Sequence, residues 1–180
     1  MSNKEHRTIK IVLTGPESSG KTSAAEALAQ RLNTPVVPEF ARYFISNLGR
    51  PYHRADLEAV ARGQYAWEQW FLAPLPSLLI CDTDWTVLHI WEQYRFNEAR
   101  SSGLFWQKGY RNPLPADLYL LCSPDFPWAP DPLREHPEEC GILFGRYEQL
   151  LRETGAPYTI LTGSCEKRIE TALARIEKLC

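Results

Sequence analysis

Residues 15–22 read Gly15-Pro16-Glu17-Ser18-Ser19-Gly20-Lys21-Thr22, the G-x-x-x-x-G-K-T spacing of a phosphate-binding loop, or Walker A motif. Its flanks supply the context such a loop needs. Before it, Thr8 to Leu13 is a short run of β-branched and aliphatic residues. After it, Ala25, Leu28, Ala29 and Leu32 recur at i, i+3, i+4 and i+7, one face of a helix over 22–32. Glycine lets the backbone approach phosphates closely, its neighbours' N–H groups form an anion-binding nest, and the helix N-terminus adds partial positive charge. In that cradle Gly15, Glu17, Ser18, Ser19 and Gly20 are expected to surround the phosphates of ATP. Lys21 reaches the β- and γ-phosphates, and the Thr22 hydroxyl ligates Mg²⁺.

Composition bounds the rest. A chain of 180 residues, 44% hydrophobic and 23% charged, is expected to form one domain over 1–180 with one good core. A net charge of -2, with basic residues scattered rather than clustered, gives no footprint for nucleic acid. The five cysteines form no C-x-x-C pair and no zinc-like spacing with histidine. Cys81 and Cys122 fall inside apolar runs and are expected to be buried. An odd cysteine count without a disulfide pattern fits a reducing cytosol, so a cytoplasmic location is expected. Residues 1–8 are polar and lack the apolar stretch of a signal peptide, and no run is long enough to cross a bilayer. A membrane partner is not expected, and oligomeric state is left open.

Along the chain, apolar runs alternate with helical periodicity. Pro35 to Pro38 is a short strand, ending in Glu39-Phe40-Ala41-Arg42, and Asn47 to Pro51 is turn-rich. A helix is expected over 55–72, closed by Pro74 and Pro76, with Trp67 and Trp70 in the core. Ser77 to Cys81 and Asp117 to Cys122 are continuous apolar runs suited to buried parallel strands. Helical spacing returns over 85–96, 142–151 and 166–179, with a last strand over 157–162. Residues 104–113 give no clear signal, and 123–137 is rich in proline and charge and reads as a mobile loop. The sum is an α/β sandwich on a parallel sheet of roughly five strands. Right-handed crossovers place every strand C-terminus on one edge, where ligands bind.

That edge gathers the candidate side chains. Asp82 and Asp84 directly follow the 77–81 strand, where a carboxylate can hold Mg²⁺. Asp82 is expected near the metal; Asp84 faces the phosphate acceptor or caps the following helix. Glu39 and Arg42 follow the second strand. Glu39 can take a proton from an acceptor hydroxyl and Arg42 can stabilise the transferring group, unless the two form only a surface ion pair. Arg134, near Asp131, can reach the phosphates from a lid spanning roughly 123–140 that excludes water. Trp85, Trp91 and Trp128 lie near the site; Trp91 either stacks on a substrate ring or packs in the core.

These pieces, together with Pro127 to Arg134 and Gly155 to Gly163, resemble the kinase domain of the NadR family, and the likeness runs in order over nearly the whole chain. The resemblance implies a P-loop fold like that of nucleoside and nucleotide kinases, a three-layer α/β/α sandwich. It implies phosphorylation of nicotinamide riboside by ATP to nicotinamide mononucleotide, in NAD salvage, with a small-molecule nucleoside as partner. No H-x-G-H motif is present, so adenylyl transfer is not expected. The lid reads Asp131-Pro132-Leu133-Arg134 where a more flexible Asp-Gly-Leu-Arg is common in relatives. Two other functions fit the loop: a nucleotide-dependent regulatory or scaffold ATPase, and a kinase of another nucleoside.

Overall fold

The computed structural model describes residues 7–96, 116–127 and 139–179. Five strands, β1 (Ile9–Thr14), β2 (Val36–Val37), β3 (Leu78–Asp82), β4 (Leu118–Cys122) and β5 (Tyr158–Leu161), form one sheet in the order β2-β3-β1-β4-β5. Every neighbouring pair is parallel. The strands β3 and β4 are buried at every position, which explains their unbroken apolar sequence: both faces of the sheet are covered.

Six described helices provide that cover: α1 (Lys21–Leu32), α2 (Phe40–Ser46), α3 (Asp56–Leu72), α4 (Trp85–Arg95), α5 (Cys140–Thr154) and α6 (Cys165–Ile176). Alternation along each strand sends side chains to two separate cores. Ile11, Leu13 and Leu120 pack with Leu28 of α1 and Ile169 of α6. Val12, Cys81 and Leu121 pack with Val87 of α4 and Leu143 of α5. The result is the expected three-layer α/β/α sandwich. Cys81 and Cys122 are fully buried, as their apolar surroundings predict. Among the described residues no helix is long and apolar enough to cross a membrane.

Three features depart from the sequence reading or fall outside it. The helix α2 was not marked by periodicity; at seven residues it is too short to show one. Trp70 is not in the core: it is 71% exposed, one turn past the half-buried Trp67, because the buried face of α3 runs through Leu57, Val60, Gln64 and Glu68 instead. Lys10 is charged yet 0% exposed, on the face of β1 shared with Val12. Its Nζ donates to Glu68 Oε2 at 2.5 Å, so the pair is buried together. Residues 104–113 and most of the 123–140 lid, including Trp128, Asp131 and Arg134, lie outside the described residues.

Candidate functional site

The site begins where β1 ends. Leu13 is in register with Asp82 on one side and Leu120 on the other, and the chain then turns away from the sheet. Gly15 makes that turn at φ +135°, and a Cβ there would lie 2.7 Å from the Cys122 carbonyl oxygen. Only glycine permits both the angle and the approach. The loop then closes on itself. Ser19 Oγ donates to Pro16 O at 2.8 Å, and Lys21 Nζ donates to Gly15 O at 3.0 Å and Pro16 O at 2.7 Å.

This loop forms one wall of a cleft of about 100 Å³, and Glu39, Arg42, Val87, Trp91 and Tyr147 form the rest. The loop residues Gly15 and Glu17 to Thr22 line one cleft with Glu39, Arg42 and Trp91; Asp82 and Asp84 are not among its lining residues, and Asp84 lines a second, smaller pocket that shares Glu39 and Val87. Glu39 is half-buried there. Burial pushes its carboxyl above the ordinary value, Lys21 and Arg42 pull it down, and Asp82 and Glu17 push it further up. A carboxylate raised by desolvation is a stronger base than an exposed one and so better suited to accept a proton.

The position of Glu39 depends on α3. Phe40 begins α2, its backbone N–H donates to Gln64 Oε1 at 2.8 Å, and a Cβ on Gly63 would overlap its ring. Phe40 also meets Trp67 edge-on, with ring centroids 4.8 Å apart. A seven-residue helix is thus pinned at its first turn by tertiary contacts, because helices this short do not hold themselves.

The two aspartates separate by environment. Asp82 ends β3, is 4% exposed, and its Oδ1 is buried without a hydrogen-bond partner among the described residues. Asp84 is engaged on both oxygens. Its Oδ1 accepts from the Thr86 backbone N–H at 2.9 Å and the Thr86 hydroxyl at 2.7 Å, while Oδ2 accepts from the Tyr119 hydroxyl at 2.8 Å. Of the two roles open to Asp84, the structure shows the cap of α4.

Trp91 is half-buried, lines the cleft and stacks on Tyr52, with centroids 5.9 Å apart and planes at 28°. Trp85 instead packs beside His89. Two residues escaped the sequence reading. Tyr147 has the spacing of a packing residue on α5, and it is buried, yet it also lines the cleft. Burial, then the nearby Glu39, Glu17 and Asp84, hold its phenol well above its ordinary value, so it remains a neutral donor. Arg168 lies on α6, far along the chain, and its guanidinium bonds the loop at Ser19 O at 2.7 Å. Nothing in its local sequence separates it from an exposed helix arginine.

The fold that carries this cleft has counterparts among solved structures. No curated protein matches this chain. NadR protein in complex with NR superposes with a TM-score of 0.80 at 20% identity, covering 95% of this chain and 51% of that one. NadR protein in complex with NAD and AMP-PNP superposes at 0.75 with 19% identity, covering 95% and 49%. The chain spans about half the length of those NadR chains. Deoxyadenosine kinase from M. mycoides with bound dATP matches at 0.63 with 13% identity, covering 94% of this chain and all of that one. The fold is therefore that of the P-loop nucleoside and nucleotide kinases, with the NadR likeness read from the motifs present in the architecture as well. A family profile described as an AAA domain matches residues 10–168, and the chain belongs to that family.

Proposed function

We propose that residues 1–180 form a single kinase domain that transfers the γ-phosphoryl group of ATP to the 5′-hydroxyl of a ribonucleoside, with nicotinamide riboside as the acceptor. The observation that carries this reading is the cleft itself, about 100 Å³, which Glu39 lines together with Lys21 and the loop. Phosphoryl transfer needs positioning and charge stabilisation rather than elaborate covalent chemistry.

The residues divide the work. The loop amides and Lys21 bind the β- and γ-phosphates. The buried, unpartnered Oδ1 of Asp82 and the Thr22 hydroxyl fit a hard cation that prefers oxygen ligands, and these two would hold Mg²⁺. When bound, the ion neutralises charge on the phosphate oxygens. Glu39 accepts the 5′-hydroxyl proton as the O5′–Pγ bond forms and the bond from Pγ to the β-phosphate oxygen breaks, releasing ADP. Arg42 steadies the charge on the group in flight, a task that Arg134, outside the described residues, would share. Asp84 supports the acceptor side by capping α4, which carries Val87 and Trp91 to the cleft wall.

On the acceptor side Trp91 lines the cleft and stacks on Tyr52, on whose ring the Arg95 guanidinium also sits, 4.2 Å from the centre. Burial raises the Tyr52 phenol, Arg95 lowers it and Glu17 raises it. A pyridinium riboside stacked on Trp91 gains cation–π attraction that an uncharged base does not. ADP release coupled to a dehydrogenase readout, measured with nicotinamide riboside, adenosine, cytidine and uridine, tests the proposal. Acceptor-dependent turnover that is fastest with nicotinamide riboside supports it. ATP binding with no acceptor-dependent turnover refutes the kinase reading and leaves the regulatory ATPase.

A further inference from the structure

Arg168 is the most fully engaged buried cation near the cleft. It is 1% exposed, and most of its partners are main-chain carbonyls of loops rather than side chains. Nε donates to Gly163 O at 3.0 Å, Nη1 to Ser19 O at 2.7 Å and Nη2 to Ser123 O at 2.8 Å. Nη2 also meets the Asp125 carboxylate, whose other oxygen accepts from the Gly163 N–H at 2.7 Å. The guanidinium plane lies 4.2 Å from the centre of the Phe126 ring. Three loops, those after β1, β4 and β5, are thus tied to one planar fork at the strand C-terminal edge.

We propose that Arg168 is a positioning residue for the nucleotide phosphates, setting the orientation of the Ser19–Gly20 peptide in the loop. The argument is geometric. In a trans peptide the carbonyl and the following N–H point in opposite directions, and no described peptide is cis. Arg168 holds the Ser19 oxygen on the α6 side, so the Gly20 N–H is turned the other way, at a residue that lines the cleft. Glycine on one side of this peptide makes rotation easy. Without the guanidinium the plane can turn, which removes a donor from the phosphates and presents a carbonyl oxygen to them. Phe126 packs close to Gly20, where a Cβ would lie 3.0 Å from its ring. Lysine supplies the charge and three donors at a single point rather than a planar fork, so it does not reproduce the arrangement that spans carbonyls of three separate loops.

This inference rests on the loop binding a triphosphate, as proposed above, and the experiment separates the two. Calorimetric titration of wild type, Arg168→Lys and Asp125→Asn with ATP and with adenosine gives the ratio of the two affinities. Wild type is expected to prefer ATP strongly; if it does not, the kinase reading falls first. Arg168→Lys is expected to weaken ATP by at least about tenfold and adenosine by less than about twofold, the scale of one charged hydrogen bond. Asp125→Asn loosens the fork without removing it and is expected to lower the ratio by about threefold. A wild-type preference that both folded variants retain overturns the proposal, as do equal losses for ATP and adenosine, which mark a merely structural residue. Should Arg168→Lys fail to fold, the Asp125→Asn ratio decides alone.

Discussion

Gly15→Ala is the substitution whose cost the structure fixes most directly. The new methyl would sit 2.7 Å from the Cys122 carbonyl oxygen and 3.3 Å from the Cys122 nitrogen, against an ordinary contact beginning at 3.4 Å. Both atoms are backbone of β4, a buried strand paired on both sides, which cannot easily give way, so the loop must move outward. The backbone angle of +135° adds its own strain, because L side chains rarely adopt it. Holding a non-glycine residue there costs about 1–3 kcal/mol, and the overlap costs about 1–3 kcal/mol more. A total near 4 kcal/mol lowers the melting midpoint by about 8–16 °C for a domain of this size. Moving the loop by several tenths of an ångström also misaims its amides, and a misplacement approaching 1 Å costs about 100-fold in rate. Calorimetric melting and ATP titration measure the two effects. Gly145→Ala is the control: it lies mid-helix in α5 with nothing within 4 Å of its Cβ, and it should gain about 0.5–1 kcal/mol. The reasoning fails if Gly15→Ala melts within about 2 °C of wild type, a change below 1 kcal/mol, and binds ATP equally well.

Three other substitutions probe the remaining supports. Lys10→Met strands Glu68 in a site where its side chain is 5% exposed, and the loss should be about 3–5 kcal/mol by denaturant unfolding; pairing it with Glu68→Met should recover most of that. Because Lys10 lowers a Glu68 carboxyl that burial raises, the single variant's penalty should shrink as pH falls and Glu68 protonates. Glu39→Gln should lower turnover by about 10²–10⁴-fold with ATP affinity kept, and the wild-type acid limb should lie above the ordinary 4.5. An ionised carboxylate whose folded pKa is raised costs stability above that pKa and nothing below the unfolded value, so Glu39→Gln should melt higher than wild type at about pH 8 and converge with it toward about pH 4. Gly63→Ala should push Phe40 and with it Glu39, lowering acceptor-dependent turnover while leaving ATP affinity unchanged; equal losses in both would contradict the division described below.

What the sequence revealed was governed by locality. The loop, its flanking strand and helix, and the apolar runs of β3 and β4 are written in consecutive residues, so the fold and the phosphate side could be read directly. Asp82 and Asp84 were recognisable as a pair because they end a strand. Their separation into a buried free oxygen and a helix cap depended on Tyr119 and Thr86, one of them on another strand. Tyr147 carried the periodicity of a core residue and truly is one; its second role comes from where α5 crosses the cleft. Trp70 lies outside the core because α3 buries Gln64 and Glu68 on the stripe that hydrophobicity alone assigns to aromatics. Arg168, separated from Ser19 by 149 residues, had no local signature at all.

The same contacts show that the cleft joins two walls held by different elements. The phosphate wall is anchored by β1, β4 and the Arg168 fork, and its glycine is locked against the Cys122 backbone. The acceptor wall is anchored by α3, through Gln64 and the gap left by Gly63, and by the Asp84 cap on α4. Glu39 and Lys21 line one cleft because the segments that carry them follow parallel strands that end at one sheet edge. Under the proposed kinase function, such a chain can change its acceptor by altering α2 and α3 while keeping the phosphate loop fixed, so that one fold can take acceptors of different shape and charge.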